Sequence, residues 1–302
     1  MRFVAFNSTG QTTGVNNVFV RDTCAAAPIT CIPSTVLVSE SPGGAAGNQN
    51  SLPPAISSTA RYAAFQSYAT NLLPGQTTLP GIFLGDTCIG VAGTCTLGIS
   101  RVDVAVDGSQ PSLGAFYGPA MSAAGRLVAF GSAATNLVNI DINGNCTTAS
   151  CGDVFVRDTC LGAPGGCTAG TSLVSIANDG ALGNCSSHGF VGGLSMSADG
   201  RFVAFGSIAT NLSPDDAFAA CGWEDIFVRD TCFGVAADCS PSTVRVSVAN
   251  APNAGLSANA ISNYSAISAD GHYVVFVSDA TNLLAGTAGN GHAMVYLAKT
   301  GF

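Results

Sequence analysis

An all-β architecture is predicted for this chain by three observations. A five-residue phrase returns five times, short apolar segments alternate with turn residues, and paired cysteines recur in step with the phrase. The phrase reads Arg2-Phe-Val-Ala-Phe6, Arg61-Tyr-Ala-Ala-Phe65, Arg126-Leu-Val-Ala-Phe130, Arg201-Phe-Val-Ala-Phe205 and His272-Tyr-Val-Val-Phe276, with starts 59, 65, 75 and 71 residues apart. Self-similarity of this kind marks a tandem array. Each unit holds four short strand patterns separated by turn residues, the cue for an all-β repeat architecture of four-stranded antiparallel units. The spacings exceed the roughly 40–50 residues of ordinary propeller blades, so the surplus belongs to loops.

The fourth unit illustrates the elements in order. Its first strand falls near Leu194 to Ser197, and Ala198-Asp199-Gly200 makes a tight turn in which glycine supplies the positive φ. Arg201 to Ser207 is the second strand, apolar on both faces as a strand packed between neighbouring sheets should be. After a long loop, Asp225 to Asp230 forms the third strand and Thr243 to Val248 the outer one. Across the chain there are five second strands and five third strands, the last being Met294 to Leu297, but only four first strands and four outer strands. We therefore expect a single domain, 1–302, of about five blades, with units near 1–55, 56–120, 121–193, 194–264 and 265–302 and with incomplete first and last blades. The two missing strands would be consecutive in a closed ring. The chain is then either a piece of a longer one or completed by another subunit.

Ser197-Ala-Asp-Gly-Arg-Phe-Val-Ala-Phe205 and Ser268-Ala-Asp-Gly-His-Tyr-Val-Val-Phe276 resemble the Ser-Pro-Asp-Gly-Lys/Arg hairpin of TolB-like (WD-like) β-propeller repeats, and the third strand resembles that family's Asp-Ile-Tyr-Val. The resemblance covers all five units and implies the propeller fold. It implies no catalytic residues. Alanine stands where the family usually has proline, and the cysteine-bearing loops mark a cysteine-rich, extracellular variant.

Composition excludes several classes. With Lys+Arg 10 against Asp+Glu 18, the net charge is −8, the opposite of a nucleic-acid footprint. At 47% hydrophobic the chain can bury a core and is not disordered. No uninterrupted apolar run approaches the ~18–20 residues of a membrane-spanning helix.

The 12 cysteines fall into local pairs. Four units carry Asp-Thr-Cys with a second cysteine seven positions on: Cys24 and Cys31, Cys88 and Cys95, Cys160 and Cys167, Cys232 and Cys239. All four pairs lie between third and outer strand, where a hairpin brings Cα atoms within the ~5.5–6 Å of a disulfide. Cys146 and Cys151 form a fifth pair. Cys185 and Cys221 remain, on loops of the fourth unit that emerge on one face, and should join. Zinc sites favour ligands two to four residues apart in paired clusters, so we expect disulfides, and with them an oxidising compartment: secreted or on a cell surface.

The nine arginines sit at repeat positions and are expected to be architectural. Asp22, Asp86, Asp158 and Asp230 should cap the turn that follows each. Ala-Thr-Asn-Leu, at residues 69–72, 134–137, 209–212 and 280–283, should satisfy loop backbone groups. Asp141, Asn143 and Asn145 with Asp153, and Asp215, Asp216 and Asp225 in the next unit, offer the oxygen ligands of a calcium loop, although neither set completes the twelve-residue signature. No cofactor is required on this reading: the loops read first as solvated turns, with calcium as the alternative. Asn-x-Ser/Thr sequons occur at Asn7, Asn145, Asn184, Asn211 and Asn263.

No Gly-x-Ser-x-Gly elbow is present, and His188, His272 and His292 lack metal-ligand spacing. The expectation is that the chain is not an enzyme. With one lysine, Lys299, and few charges to blunt sheet edges, it should sit beside copies of itself or neighbouring domains through its unpaired terminal blade edges. The sequence therefore predicts an extracellular structural or adhesive propeller, a self-assembling unit of a surface filament built by strand complementation. The alternatives are a propeller module of a larger cell-surface protein that binds calcium, glycan or protein, and a hydrolase acting on glycan or peptide.

Overall fold

The computed structural model describes residues 2–9, 14–140, 152–187, 193–214, 221–235, 238–250, 255–285 and 292–302, and these contain strands, turns and loops but no helix. Among the described residues, eighteen strands build five antiparallel sheets. The first sheet is β1 (Phe3–Thr9), β2 (Asn16–Asp22) and β3 (Ser34–Leu37). The second runs β4 (Ala55–Ile56), β5 (Tyr62–Ser67), β6 (Gly81–Asp86) and β7 (Gly98–Arg101). The third runs β8 (Ala115–Met121), β9 (Leu127–Ser132), β10 (Asp153–Asp158) and β11 (Gly170–Leu173). The fourth runs β12 (Ser195–Met196), β13 (Phe202–Ser207), β14 (Asp225–Asp230) and β15 (Ser242–Arg245). The fifth is β16 (Ser262–Ile267), β17 (Tyr273–Ser278) and β18 (Met294–Lys299). Every sheet is a meander in sequence order. Among the described residues the first sheet has no first strand and the fifth no outer one, as the repeat count predicts. The outer strand of the fourth unit is shorter than expected, ending at Arg245.

Second and third strands keep one register in all five sheets, setting an aromatic opposite an aromatic: Phe6 and Phe19, Phe65 and Phe83, Phe130 and Phe155, Phe205 and Phe227, Phe276 and Tyr296. Ring centroids lie 5.7–6.0 Å apart, within the range of favourable aromatic pairs. From the second sheet on, each pair faces the preceding sheet. Phe65 and Phe83 pack on Val18 and Val20, Phe130 and Phe155 on Ile82 and Leu84, Phe205 and Phe227 on Val154 and Val156, and Phe276 and Tyr296 on Ile226 and Val228. The core is thus four apolar layers between five blades, the stacking of a β-propeller. No apolar cluster among the described residues joins the fifth sheet to the first.

The tight turns belong to these layers. Gly125, Gly200 and Gly271 have φ of +81°, +83° and +78°. A Cβ on Gly200 would also collide with the Leu127 side chain of the preceding sheet, and one on Gly271 with Phe202. The turns are further laced by backbone bonds: Ser58 N–H donates to Ala123 O, Ala123 N–H to Ala198 O and Ala198 N–H to Ala269 O, at 2.8–2.9 Å.

Glycine at these turns therefore serves both backbone and packing. Gly200→Ala should destabilise the fold by about 2–4 kcal/mol, a left-handed strain of ~1 kcal/mol plus the cost of overpacking. Gly162→Ala, at φ +68° with open space around it, should cost only the ~1 kcal/mol backbone share. Urea unfolding of the two variants measures the difference, and equal losses would mean that the turn carries no inter-blade packing.

Candidate functional site

Side-chain chemistry concentrates at a corner repeated in the first four units. The arginine after the tight turn meets the aspartate ending the third strand through Nε and Nη2: Arg2 with Asp22 at 2.9 and 2.7 Å, Arg126 with Asp158 at 2.8 and 2.7 Å, Arg201 with Asp230 at 2.8 and 2.5 Å, and Arg61 with Asp86 more loosely. Each aspartate Oδ1 also accepts the amide of the cysteine two residues on, at 2.8–3.0 Å. That cysteine is left-handed, with φ of 57–60°, a conformation costing ~1–2 kcal/mol outside glycine. The Asp cap and the disulfide hold it there.

Five disulfides join Cys24–Cys31, Cys88–Cys95, Cys160–Cys167, Cys185–Cys221 and Cys232–Cys239, with Cα separations of 5.7–5.8 Å. Closing an eight-residue loop contributes roughly 2.5 kcal/mol. Cys146 and Cys151 lie outside the described residues. Asp22, Cys24 and Cys31 and their three counterparts cluster closely enough for a metal, but both sulfurs of each cluster are bonded to one another. In the fifth unit His272, Lys299 and Gly301 replace Arg, Asp and Cys. Gly301 keeps the left-handed turn at φ +86°, and Thr300 N–H still donates to His272 O at 3.0 Å.

Arg21, Arg157 and Arg229 reach across to a threonine on the outer strand: Thr35, Thr171 and Thr243. In the Ala-Thr-Asn-Leu phrase, Asn71 Oδ1 accepts the Asn48 amide while its Nδ2 donates to Ala46 O. Asn211 does the same for Asn184 and Leu182, and Asn282 for Asn259 and Ser257. The phrase clasps the crossover between successive blades, and its alanine and leucine are buried.

Of the residues expected to offer calcium ligands, Asp141, Asn143, Asn145, Asp215 and Asp216 lie outside the described residues. Asp153 and Asp225 occupy equivalent positions at the start of β10 and β14. Each accepts a hydroxyl hydrogen bond, from Ser175 and Ser247, whose Oγ in turn accepts the amide of Val154 or Ile226. Asp225 also lies 3.7 Å from Arg245. The second unit inverts this arrangement. Gly81 stands at the carboxylate position, and Asp103 replaces the serine, accepting the Ile82 amide and pairing with Arg101 at 2.9 Å. A Cβ on Gly81 would press on the Arg101 guanidinium at 2.7 Å, so the two changes require each other. Burial pushes the carboxyls of Asp103 and Asp153 up to about 6, against the Arg101 charge and the Ser175 hydrogen bond respectively. The hydrogen bond from Arg2, opposed by burial, holds Asp22 below the usual carboxylate range. At Asp158 and Asp230 burial works upward but is outweighed by the hydrogen bonds from Arg126 and Arg201 and from the cysteine amides, so both also sit low.

A cleft of about 890 Å³ opens where the tight turns and disulfide loops of the first four blades converge, lined by Arg2, Phe3, Arg61, Tyr62, Arg126, Phe233 and others, with Asp199 its one carboxylate. Exposed apolar side chains also lie at the two ends of the array. On the fifth sheet Val295 and Leu297 are 71% and 68% exposed, with Tyr273 and Val275 at 40%. On the first sheet Val4 is 39% exposed and Phe6 and Phe19 are half-buried. The sequence marked the missing strands but not these faces. Their signal was present in the register, because Ile226 and Val228, the counterparts of Val295 and Leu297, are fully buried.

No protein-family model matches the sequence, and no curated protein matches it. Among solved structures, the chain is similar to a putative TolB from Agrobacterium tumefaciens, with 13% identity, a TM-score of 0.45 and coverage of 99% of this chain and 86% of that one. Prolyl oligopeptidase B from Galerina marginata matches with 11% identity and a TM-score of 0.47 over 99% of this chain and 32% of that one, so the chain spans about a third of its length. An α-L-arabinofuranosidase from Lactobacillus brevis matches with 10% identity and a TM-score of 0.40, over 98% and 86%. The expectation that the chain is not an enzyme is corrected by these matches: a peptidase and a glycosidase stand among them, so a propeller layout without a familiar motif is no ground for excluding catalysis.

The buried carboxylates set the response to pH. Asp103 and Asp153 bind protons more readily folded than unfolded, so stability should rise as pH falls from about 7 through 6. Asp22, Asp158 and Asp230 contribute above their unfolded value of ~3.9, and that contribution is lost as pH falls through their lower folded values. Stability should peak between about pH 4 and 6, and Asp153→Asn should remove about 1 kcal/mol of the gain between pH 7 and 5. Urea midpoints across this range test it, and stability that climbs steadily to pH 8 would contradict the burial of these groups.

Proposed function

We propose that the chain is a secreted structural or adhesive unit at the cell surface, a cysteine-rich relative of TolB-like propellers, joined to copies of itself through its two terminal blades. The observation that carries this reading is the exposure of sheet faces at both ends whose counterparts are buried in every internal blade. Contiguous exposed apolar surface marks an interaction site. Among the described strands, β1 pairs only with β2 and β18 only with β17, which leaves each an edge that a neighbour's strand can use. Five disulfides among the described residues support an oxidising, extracellular setting, and no helix among them is long and apolar enough to cross a membrane.

A second reading is favoured by the cleft, where the rings of Tyr62 and Phe233 beside polar side chains suit a glycan. Glycan binding by the intact chain that is lost in Arg61→Ala would be its mark.

Assembly is tested on the unreduced chain by sedimentation velocity over a hundredfold range of concentration. The reading expects species of several copies growing with concentration. A monomer throughout the range would sink it.

A further inference from the structure

The geometry points to a head-to-tail interface in which the outer face of the fifth sheet of one copy takes the outer face of the first sheet of the next. This deepens the proposed function, on which it rests, by naming the surfaces and their polarity. Within the chain every blade-to-blade layer has the same two sides. One side presents the aromatic pair with an aliphatic residue before it: Ala63, Phe65 and Phe83, or Val128, Phe130 and Phe155, or Val203, Phe205 and Phe227. The other presents two aliphatic residues of the third strand: Val18 and Val20, Ile82 and Leu84, Val154 and Val156, or Ile226 and Val228.

The first sheet keeps an unused copy of the aromatic side in Val4, Phe6 and Phe19, and the fifth keeps an unused copy of the aliphatic side in Val295 and Leu297. The two open faces are thus the two halves of a contact the chain already makes four times, and the occupant each fits is a second copy of this chain.

Changes elsewhere agree. In internal blades the aromatic side also buries the Ala and Leu of the Ala-Thr-Asn-Leu phrase, such as Ala69 with Leu72. The first unit has Ser8-Thr-Gly-Gln11 instead of that phrase. On the fifth sheet, Val275 and Val277 stand where the fourth has Ala204 and Gly206. Larger side chains thus stand on the open face of the fifth sheet than on the covered face of the fourth. Because the two faces differ, the contact is heterologous and propagates into a ring or a filament.

The test uses Val4→Glu and Leu297→Glu, each placing a carboxylate on one open face, with the wild-type urea midpoint required of both. Burying a carboxylate among these apolar side chains should weaken association at least about a hundredfold. Each variant alone should be monomeric. An equimolar mixture should form a one-to-one dimer and nothing larger, because one partner keeps an intact fifth sheet and the other an intact first sheet. Variants that assemble like wild type would overturn the face interface while leaving assembly through strand edges. Dimers of Val4→Glu alone would mean that fifth sheet meets fifth sheet, and a mixture that stays monomeric would also overturn the pairing. A monomeric wild type would remove the proposed function itself, and with it a second copy as the occupant.

Discussion

Stacking of one sheet's aromatic pair on the next sheet's aliphatic third strand is the interaction on which everything else in this molecule depends. Each central strand is apolar on both faces, so no blade can bury its own surface and every blade needs a neighbour on each side. The repeat register follows from this need, since a slip of one residue would turn the aromatics away from their partners. So do the glycine turns of the third, fourth and fifth units, where a side chain would press on the preceding blade, while the second unit fits Ala60 at the same place. The ends follow as well, because an array of such sheets that does not close carries two half-interfaces.

Divergence among the units separates what stacking requires from what it merely tolerates. The second unit moves its buried carboxylate from the third strand to Asp103 and opens Gly81 for the arginine that pairs with it. The fifth loses the Arg–Asp–Cys corner altogether, yet Thr300 and Gly301 hold the same turn and Phe302 packs its ring 5.2 Å from Phe202. The corner is a staple on an architecture that can stand without it. An ion pair of this half-exposed kind contributes ~0–1 kcal/mol, so most of the corner's effect comes from its disulfide and its cap.

Much of this was legible in the sequence because it repeats. The strand inventory and the two incomplete blades follow from aligning the units with one another, and the Cys185–Cys221 partnership from the two cysteines that the local pairs leave over. The pairing of Arg2 with Asp22 was not, since twenty residues separate them and only the strand register brings them together. Asn48, which Asn71 holds, was missed for the same reason. The open faces escaped because Val295 and Leu297 look like ordinary strand residues until their counterparts are seen to be covered. The expectation against catalysis rested on absent motifs, and that reasoning was too weak to keep.

The central claim is that the terminal faces behave as unfinished copies of the internal layers. Hydrogen–deuterium exchange of the unreduced wild-type chain, compared at low and high concentration, tests it most directly. The account predicts that backbone amides of Phe3–Thr9 and Met294–Lys299 gain protection together as concentration rises, while Phe202–Ser207 and Asp225–Asp230 stay protected throughout. Protection that rises only in the disulfide loops, with both terminal strands unchanged, would contradict it.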